Sequence, residues 1–437
     1  MKIRVLFLGL MTLLVFSCQK QERLWRIQEN GLYGFIDSLG NVVIEPQYKY
    51  VGNFRSGYAC VITEAKLNIR ETFFGRKDTT LMVKYGYIDM DNNIVIDTSN
   101  IAILHVNPYM YSFPSMFSEK KLRFRDVVFT ELDLVDDRFP YQDEKKRFWG
   151  YKNSEGDIAI EPRFSYAQSF ANGRAVVRDT TMSIPSKGNE IDMSMFNQNG
   201  VIDVNGNVVV NFEYSYISQF GKNKETWACI LGRDEEYGSF FKQWVLIDEN
   251  GKVLMPPSRM WDFVYNSDEG LYVGQMKSFG IVDYTFFDKS GNYLTDYDHD
   301  GSLTCSFKEG GKWETLSDVT AFSEGFAGIK GRYGNRSVWY FANKKLESIC
   351  IPYDSVLCFS NGLAAVKRYV DDPYHSPDSE NWGYIDKKAN VVIPYQFSDC
   401  GSFIGALAYF KKWGTAYDIE GYINKKGDIV WQTRCKK

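Results

Sequence analysis

Asp296-Tyr297-Asp298-His299-Asp300-Gly301 has the spacing of a metal site. Carboxylate oxygens at alternate positions, followed by a glycine, open a calcium loop, because Ca²⁺ takes six to eight oxygen ligands. An EF-hand then closes with an acid at its twelfth position. Phe307 stands there and Glu309 comes two residues late, so the stretch is not an EF-hand. A calcium loop of another kind, with Asp296, Asp298 and Asp300 as ligands, is one expectation; a solvated acidic turn is the other. No other cofactor is expected. His105, His299 and His375 are the only histidines and lie far apart. There is no His-x-x-x-His pair, no Cys-x-x-Cys, no phosphate-cradling glycine loop and no Gly-x-Ser-x-Gly elbow. No residue is assigned a catalytic role, and the chain is expected not to be an enzyme.

Cysteine carries a different chemistry. Lys2 and Arg4 precede an apolar run, Val5 to Phe16, that is too short to span a bilayer and has the length of a signal-peptide core. It ends in Leu14-Val15-Phe16-Ser17-Cys18, which resembles the lipobox of bacterial lipoproteins. That resemblance implies a signal peptide over 1–17, lipidation of Cys18, a tether over 18–23 and a membrane anchor, since several acyl chains hold stably where one does not. An ordinary secretory signal with an incidental cysteine is the alternative. Of the eight cysteines, the seven after removal of Cys18 cannot all pair. Cys60 and Cys229 occupy corresponding places and read as small buried apolar residues. Cys350 and Cys358 flank one loop and could bridge in an oxidising compartment.

The elements that would carry these residues are hairpins. Asn381 to Phe410 is the clearest copy. Trp382-Gly383-Tyr384-Ile385-Asp386 alternates like a strand, Val391-Val392-Ile393 returns, and Pro394 stops the return because it cannot donate to the ladder. A short link leads to Phe403, Gly405 and Ala406-Leu407-Ala408-Tyr409-Phe410, a third strand. Such a unit cannot bury its own apolar face, so copies must stack. The grammar returns at Gly34 and Trp149-Gly150, and more loosely near Gly86, Gly200, Val245, Val282, Val338 and Gly421, about nine hairpins in all. Asp37 to Gly40 and its counterparts predict a three-residue loop with a bulge, glycine taking positive φ. Ala389 fills the glycine place after Asp386, so that turn must differ or carry strain. The aspartates recur with the turn and read as structural.

These residues resemble the WG-repeat (KWG-repeat) family of bacterial proteins: Trp-Gly-Tyr-Ile-Asp, then Val-Ile-x-Pro, then Phe-x-x-Gly-x-Ala. The likeness is specific at 31–62, 148–177 and 381–410. It implies an all-β array over 24–437 and no single activity. Gly34, Asp37, Gly40, Trp149, Gly150, Trp382, Gly383 and Asp386 are its structural markers here. A propeller-like closed ring is favoured over an open β-solenoid, because Leu24-Trp25-Arg26-Ile27 could supply the strand that the last hairpin lacks. Nine units exceed the usual four to eight blades, which argues the other way.

Net charge is −4 and falls by two more without Lys2 and Arg4. No basic run stands out, so nucleic acid is not an expected partner. Insertions fall at 63–81, 178–196, 231–242, 295–318 and 370–380, with the longest at about 99–147; they are either a binding face or decoration. The expected role is an interaction scaffold for a protein or glycan, lipid-anchored in the bacterial cell envelope at the outer membrane or cell surface. A structural envelope component is the alternative, and a polysaccharide-acting enzyme using Asp298 and Asp300 a third.

Overall fold

The computed structural model describes residues 23–71, 77–105, 133–143, 148–179, 196–234, 236–265, 269–278, 281–293, 296–297, 303–306, 312–314, 318–333, 336–345, 347–348, 353–368 and 382–436. Every regular element among them is a β-strand, and every strand pairing is antiparallel. Nine hairpins run through the described residues, their first strands beginning at Leu32, Lys77, Trp149, Asn199, Phe240, Ile281, Arg336, Trp382 and Tyr417. A small additional sheet, Asp296–Tyr297, Leu303–Ser306 and Lys312–Glu314, sits between the sixth and seventh.

The sheets are out of phase with the sequence repeat. The strand after each Phe-x-x-Gly does not pair with its own hairpin. Arg174–Arg178 pairs with Asn199–Asp203, the start of the following hairpin. A full sheet therefore has four strands, as in Tyr166–Ala167, Arg174–Arg178, Asn199–Asp203 and Val208–Tyr214. The first of these is two residues long and hides in what reads as a link. Only Ser165 separates it from Ile158–Phe164, the last strand of the previous sheet. Each repeat thus sews two sheets together.

Side chains explain the motif. Position two of Trp-Gly must lack a Cβ: one on Gly34, Gly150 or Gly383 would fall 2.2, 2.4 or 2.6 Å from the carbonyl oxygen of Ile44, Ile160 or Ile393. The aromatic after it packs on the phenylalanine of the link, in the next sheet. Tyr151–Phe170, Tyr384–Phe403, Phe35–Phe54 and Phe341–Phe359 have ring centroids 4.7 to 5.0 Å apart, edge-on or tilted, the arrangement ring quadrupoles favour. Buried clusters join each sheet to the next in this way, from the first four sheets together to the eighth with the ninth.

The first and last sheets also touch. Trp25 Nε1 donates to Ile404 O at 3.0 Å and Tyr422 Oη donates to Arg26 O at 2.7 Å. Trp25, Ile27 and Ile36 pack with Leu407, Tyr422, Val430 and Trp431. The seventh and eighth sheets are joined through Tyr353–Val356, which pairs with Trp339 on one side and with Ala364–Arg368 on the other; the rest are separate, and none closes on itself among the described residues.

Three readings of the sequence change. The excursion at 99–147 is shorter, because Ile94–His105 is one strand and Phe139–Gln142 is the second strand of the third sheet. Residues 63–81 are largely the extension of two paired strands, Tyr58–Glu71 and Lys77–Asp89. The turn at Ala389 does not differ: Ala389 takes φ 64° and its N–H donates to Asp386 O at 3.0 Å, so it carries the strain.

Candidate functional site

The antiparallel order gives the array two ends of unlike character. At one end lie the connections from first to second strand and from third to fourth. All are short. The second kind is the aspartate turn: Leu39 N and Asn41 N donate to Asp37 Oδ1 at 2.8 and 2.9 Å, and Asn41 Nδ2 donates to Asp37 Oδ2 at 2.8 Å. Asp89, Asp203, Asp288 and Asp386 repeat this geometry. The amide of Asn390, then backbone N–H groups, hold the carboxyl of Asp386 below its ordinary range. These acids are occupied by their own turns. The first kind is a two-residue turn with positive φ at both centres, as at Ser56-Gly57, Asn172-Gly173 and Asn361-Gly362, the type I′ form that suits twisted strands.

Neighbouring turns are tied in series at this end. Asn172 Nδ2 donates to Phe220 O at 3.2 Å, and Ser360 Oγ to Phe403 O at 2.6 Å. Arg174 Nε donates to Glu249 O at 2.8 Å in the next sheet. Lys344 pairs with Glu269 and Lys387 with Glu324, at 3.0 and 3.1 Å. Glu225, almost wholly buried, accepts from Tyr272 Oη and pairs with Lys289. Asp133 is also buried; its Oδ2 lies 2.9 Å from Arg55 Nε. Burial pushes its carboxyl up to about 6 against the pull of Arg55 and Arg26.

The opposite end carries the connections from second to third strand and from each sheet to the next. Four of the six insertions read from the sequence leave and return here. They run from Glu71 to Lys77, from Arg178 to Phe196, from Arg233 to Phe240 and from Arg368 to Trp382. A fifth leaves here after His105 and returns at Asp133, beside Arg55 at the turn end. The sixth starts after Tyr293, directly past the Asp288 turn, and returns here at Asp318.

Single residues fall as follows. Gly34, Asp37, Gly40, Trp149, Gly150, Trp382, Gly383 and Asp386 occupy the hairpins and their turns. Cys60 and Cys229 are buried in second strands, and burial raises both thiols. Cys358 has no disulfide among the described residues, and its Sγ lies 3.8 Å from Ala321 O. Asp296 is in a strand paired with Thr304. Cys18, Asp298, His299, Asp300, Cys350 and His375 lie outside the described residues. Among the described residues no group of three or more His, Cys, Asp or Glu could hold a metal ion, and no helix is long and apolar enough to cross a membrane.

Comparison with known proteins adds the following. Four segments, 33–66, 149–179, 200–229 and 382–414, match the family described as WG containing repeat. No curated protein matches the chain. Among solved structures, Porphyromonas gingivalis dipeptidyl peptidase 4 is similar over 95% of this chain and 58% of its own, at 9% identity and TM-score 0.43. Pyrococcus horikoshii acylaminoacyl peptidase is similar over 87% and 52%, at 9% identity and TM-score 0.34. The chain thus spans between half and three-fifths of the length of these two peptidases. The β-propeller domain of the Trilobed protease from Pyrococcus furiosus is similar over 86% and 95%, at 8% identity and TM-score 0.28.

Proposed function

We propose that this repeat chain is a lipid-anchored, extracytoplasmic scaffold that binds a protein or glycan partner through the end bearing its insertions. The observation that carries the reading is that four of the six excursions leave and return at one end and the other two have one foot there, while the short tied turns gather at the other. Binding surfaces gather on variable loops held by a rigid frame. Anchoring rests on Lys2, Arg4, the apolar run Val5 to Phe16 and Cys18.

A rigid frame is best served by closure of the nine sheets into a ring, and repeat geometry supports it. Tyr151 and Tyr384 each donate to the carbonyl of the link that follows, Gln168 at 2.7 Å and Gly401 at 2.8 Å. Tyr422 occupies the same place in the last hairpin, where no link follows, and uses Arg26 O instead. Likewise a Cβ on the turn glycine Gly206 or Gly427 would meet Ile160 or Ile393 of the preceding sheet, and one on Gly40 would meet Val430 of the last.

The test is crosslinking in intact cells, followed by mass spectrometry of what is attached. Replacing 106–132 by a short glycine-serine bridge should remove one dominant partner while the protein stays abundant and folded. An unchanged set of crosslinks from that variant would end the binding role for this insertion, and no specific crosslink from either form would end the scaffold reading.

A further inference from the structure

The anchor and the turn end belong to the same side of the molecule. Trp25–Glu29 pairs with Leu32–Ile36 so that Trp25 lies opposite Ile36, directly before the turn at Asp37. Arg23 and Leu24 therefore emerge among the turns. Gly405, in a turn of the ninth sheet, has Trp25 and Arg23 as its nearest neighbours. The segment from Cys18 to Arg23 reaches at most about 18 Å when fully extended.

The turns beside this exit differ from the rest. Asn343-Lys344-Lys345, Asp386-Lys387-Lys388 and Asn424-Lys425-Lys426 place a lysine pair at the same two positions of the seventh, eighth and ninth sheets. All six lysines are exposed. Lys344 and Lys387 are paired to Glu269 and Glu324. Lys345, Lys388, Lys425 and Lys426 form no salt bridge among the described residues; Lys388 helps hold Asp386 low, and Glu347 and Asp428 are the other acids of these turns. Counted over five residues, each of the three turns is net positive, whereas those of the first five sheets are net negative and the sixth is neutral. Packed sheets lie about 10 Å apart, so the charge spreads over about 20 Å. Two apolar side chains stand out in the adjoining turns, Leu39 of the first sheet at 76% exposure and Ile404 of the ninth at 53%.

We propose that the turn end of the seventh to ninth and first sheets lies against the membrane, with these lysines on anionic lipid headgroups and Leu39 and Ile404 at the interface. This rests on the lipid-anchored reading, because the short tether from Cys18 holds this end near the bilayer. It directs the insertion end outward. A basic surface beside a lipid anchor is a standard second signal for stable attachment, each lysine near an anionic surface being worth about fivefold in partitioning.

The experiment uses the full chain with Cys18→Ser, so that the surface acts without the lipid. Its sedimentation with vesicles is compared for pure phosphatidylcholine and for phosphatidylcholine with 30% phosphatidylglycerol. Binding should appear only on the anionic vesicles and weaken steeply between 0.05 and 0.5 M salt, as screening requires. Lys345→Glu, Lys388→Glu, Lys425→Glu and Lys426→Glu together should lower it at least a hundredfold, with near-ultraviolet dichroism unchanged. Leu39→Ser with Ile404→Ser should weaken it several-fold. Equal binding to neutral vesicles, no binding to either, or binding to dextran sulfate but not to vesicles would each overturn the proposal, the last in favour of an anionic glycan. Metabolic labelling with palmitate, comparing the natural chain with Cys18→Ser, tests the anchor separately. Labelling that does not depend on Cys18 would remove the tether argument whatever the vesicles show.

Discussion

The two ends of the array are built from the same strands and obey different rules. At the turn end the backbone is fixed sheet after sheet: an aspartate or asparagine caps its own turn, a left-handed residue closes it, and the next sheet is bonded directly to it. At the other end the strands stop at different heights, and the chain between strands runs from the single Ser165 to residues 179–198. Hydrogen bonding that ties neighbouring sheets leaves no room for added residues. Loop closure costs little where nothing is tied, about 0.6 kcal/mol for each doubling of length. The difference teaches that one end holds the fold together and the other is free to vary.

The comparison breaks most severely if the packing beneath both ends is lost. Phe403→Ala removes the ring on which Tyr384 packs and should cost about 3–5 kcal/mol, read as the denaturant midpoint. A loss below about 1 kcal/mol would mean that the repeats do not depend on this contact. The next effect is on pH. Asp133 is raised to about 6 in the folded chain, so the folded state holds its proton more tightly than the unfolded one. Stability should therefore fall as pH rises from about 4 to 6, by up to about 3 kcal/mol from this group. Asp37, Asp89, Asp203, Asp288 and Asp386 are lowered. Their contribution is present above the ordinary carboxylate range and is lost as pH falls through their lowered values. The melting temperature should peak between the two windows, and Asp133→Asn should flatten the upper slope alone.

Sharper contrasts are smaller. Four glycine-serine residues placed between Ser38 and Leu39 should cost about 1–2 kcal/mol, because the Asp37 side chain loses its N–H partners. The same insertion between Arg368 and Trp382, within 370–380, should cost under about 0.6 kcal/mol. Equal costs would abolish the distinction between the ends. Of opposite sign is Ala389→Gly, which relieves a left-handed alanine and should stabilise by about 1 kcal/mol, measured by thermal melting.

Much of this was legible beforehand. Alternation and the Asp-x-x-Gly spacing locate the hairpins, because period-two burial and a positive-φ residue leave marks in the sequence. The phase of the sheets does not, since nothing in Ala59-Cys60-Val61 says which hairpin it pairs with. Tyr166–Ala167 is too short to show a period. Ser99 and Asn100 read as the start of the longest insertion because they are polar, yet they continue the edge strand Ile94–His105. Pro140 disguised the strand Phe139–Gln142. The lysine pairs are ordinary dipeptides until the fold brings three of them to adjoining turns.

Because each repeat straddles two sheets, unequal recombination between copies of the coding repeat, at any matching point, adds or removes one complete sheet and leaves every other sheet whole. The ancestry of such a chain is therefore written in whole steps, with the number of sheets free to drift while the seam between neighbours stays the same.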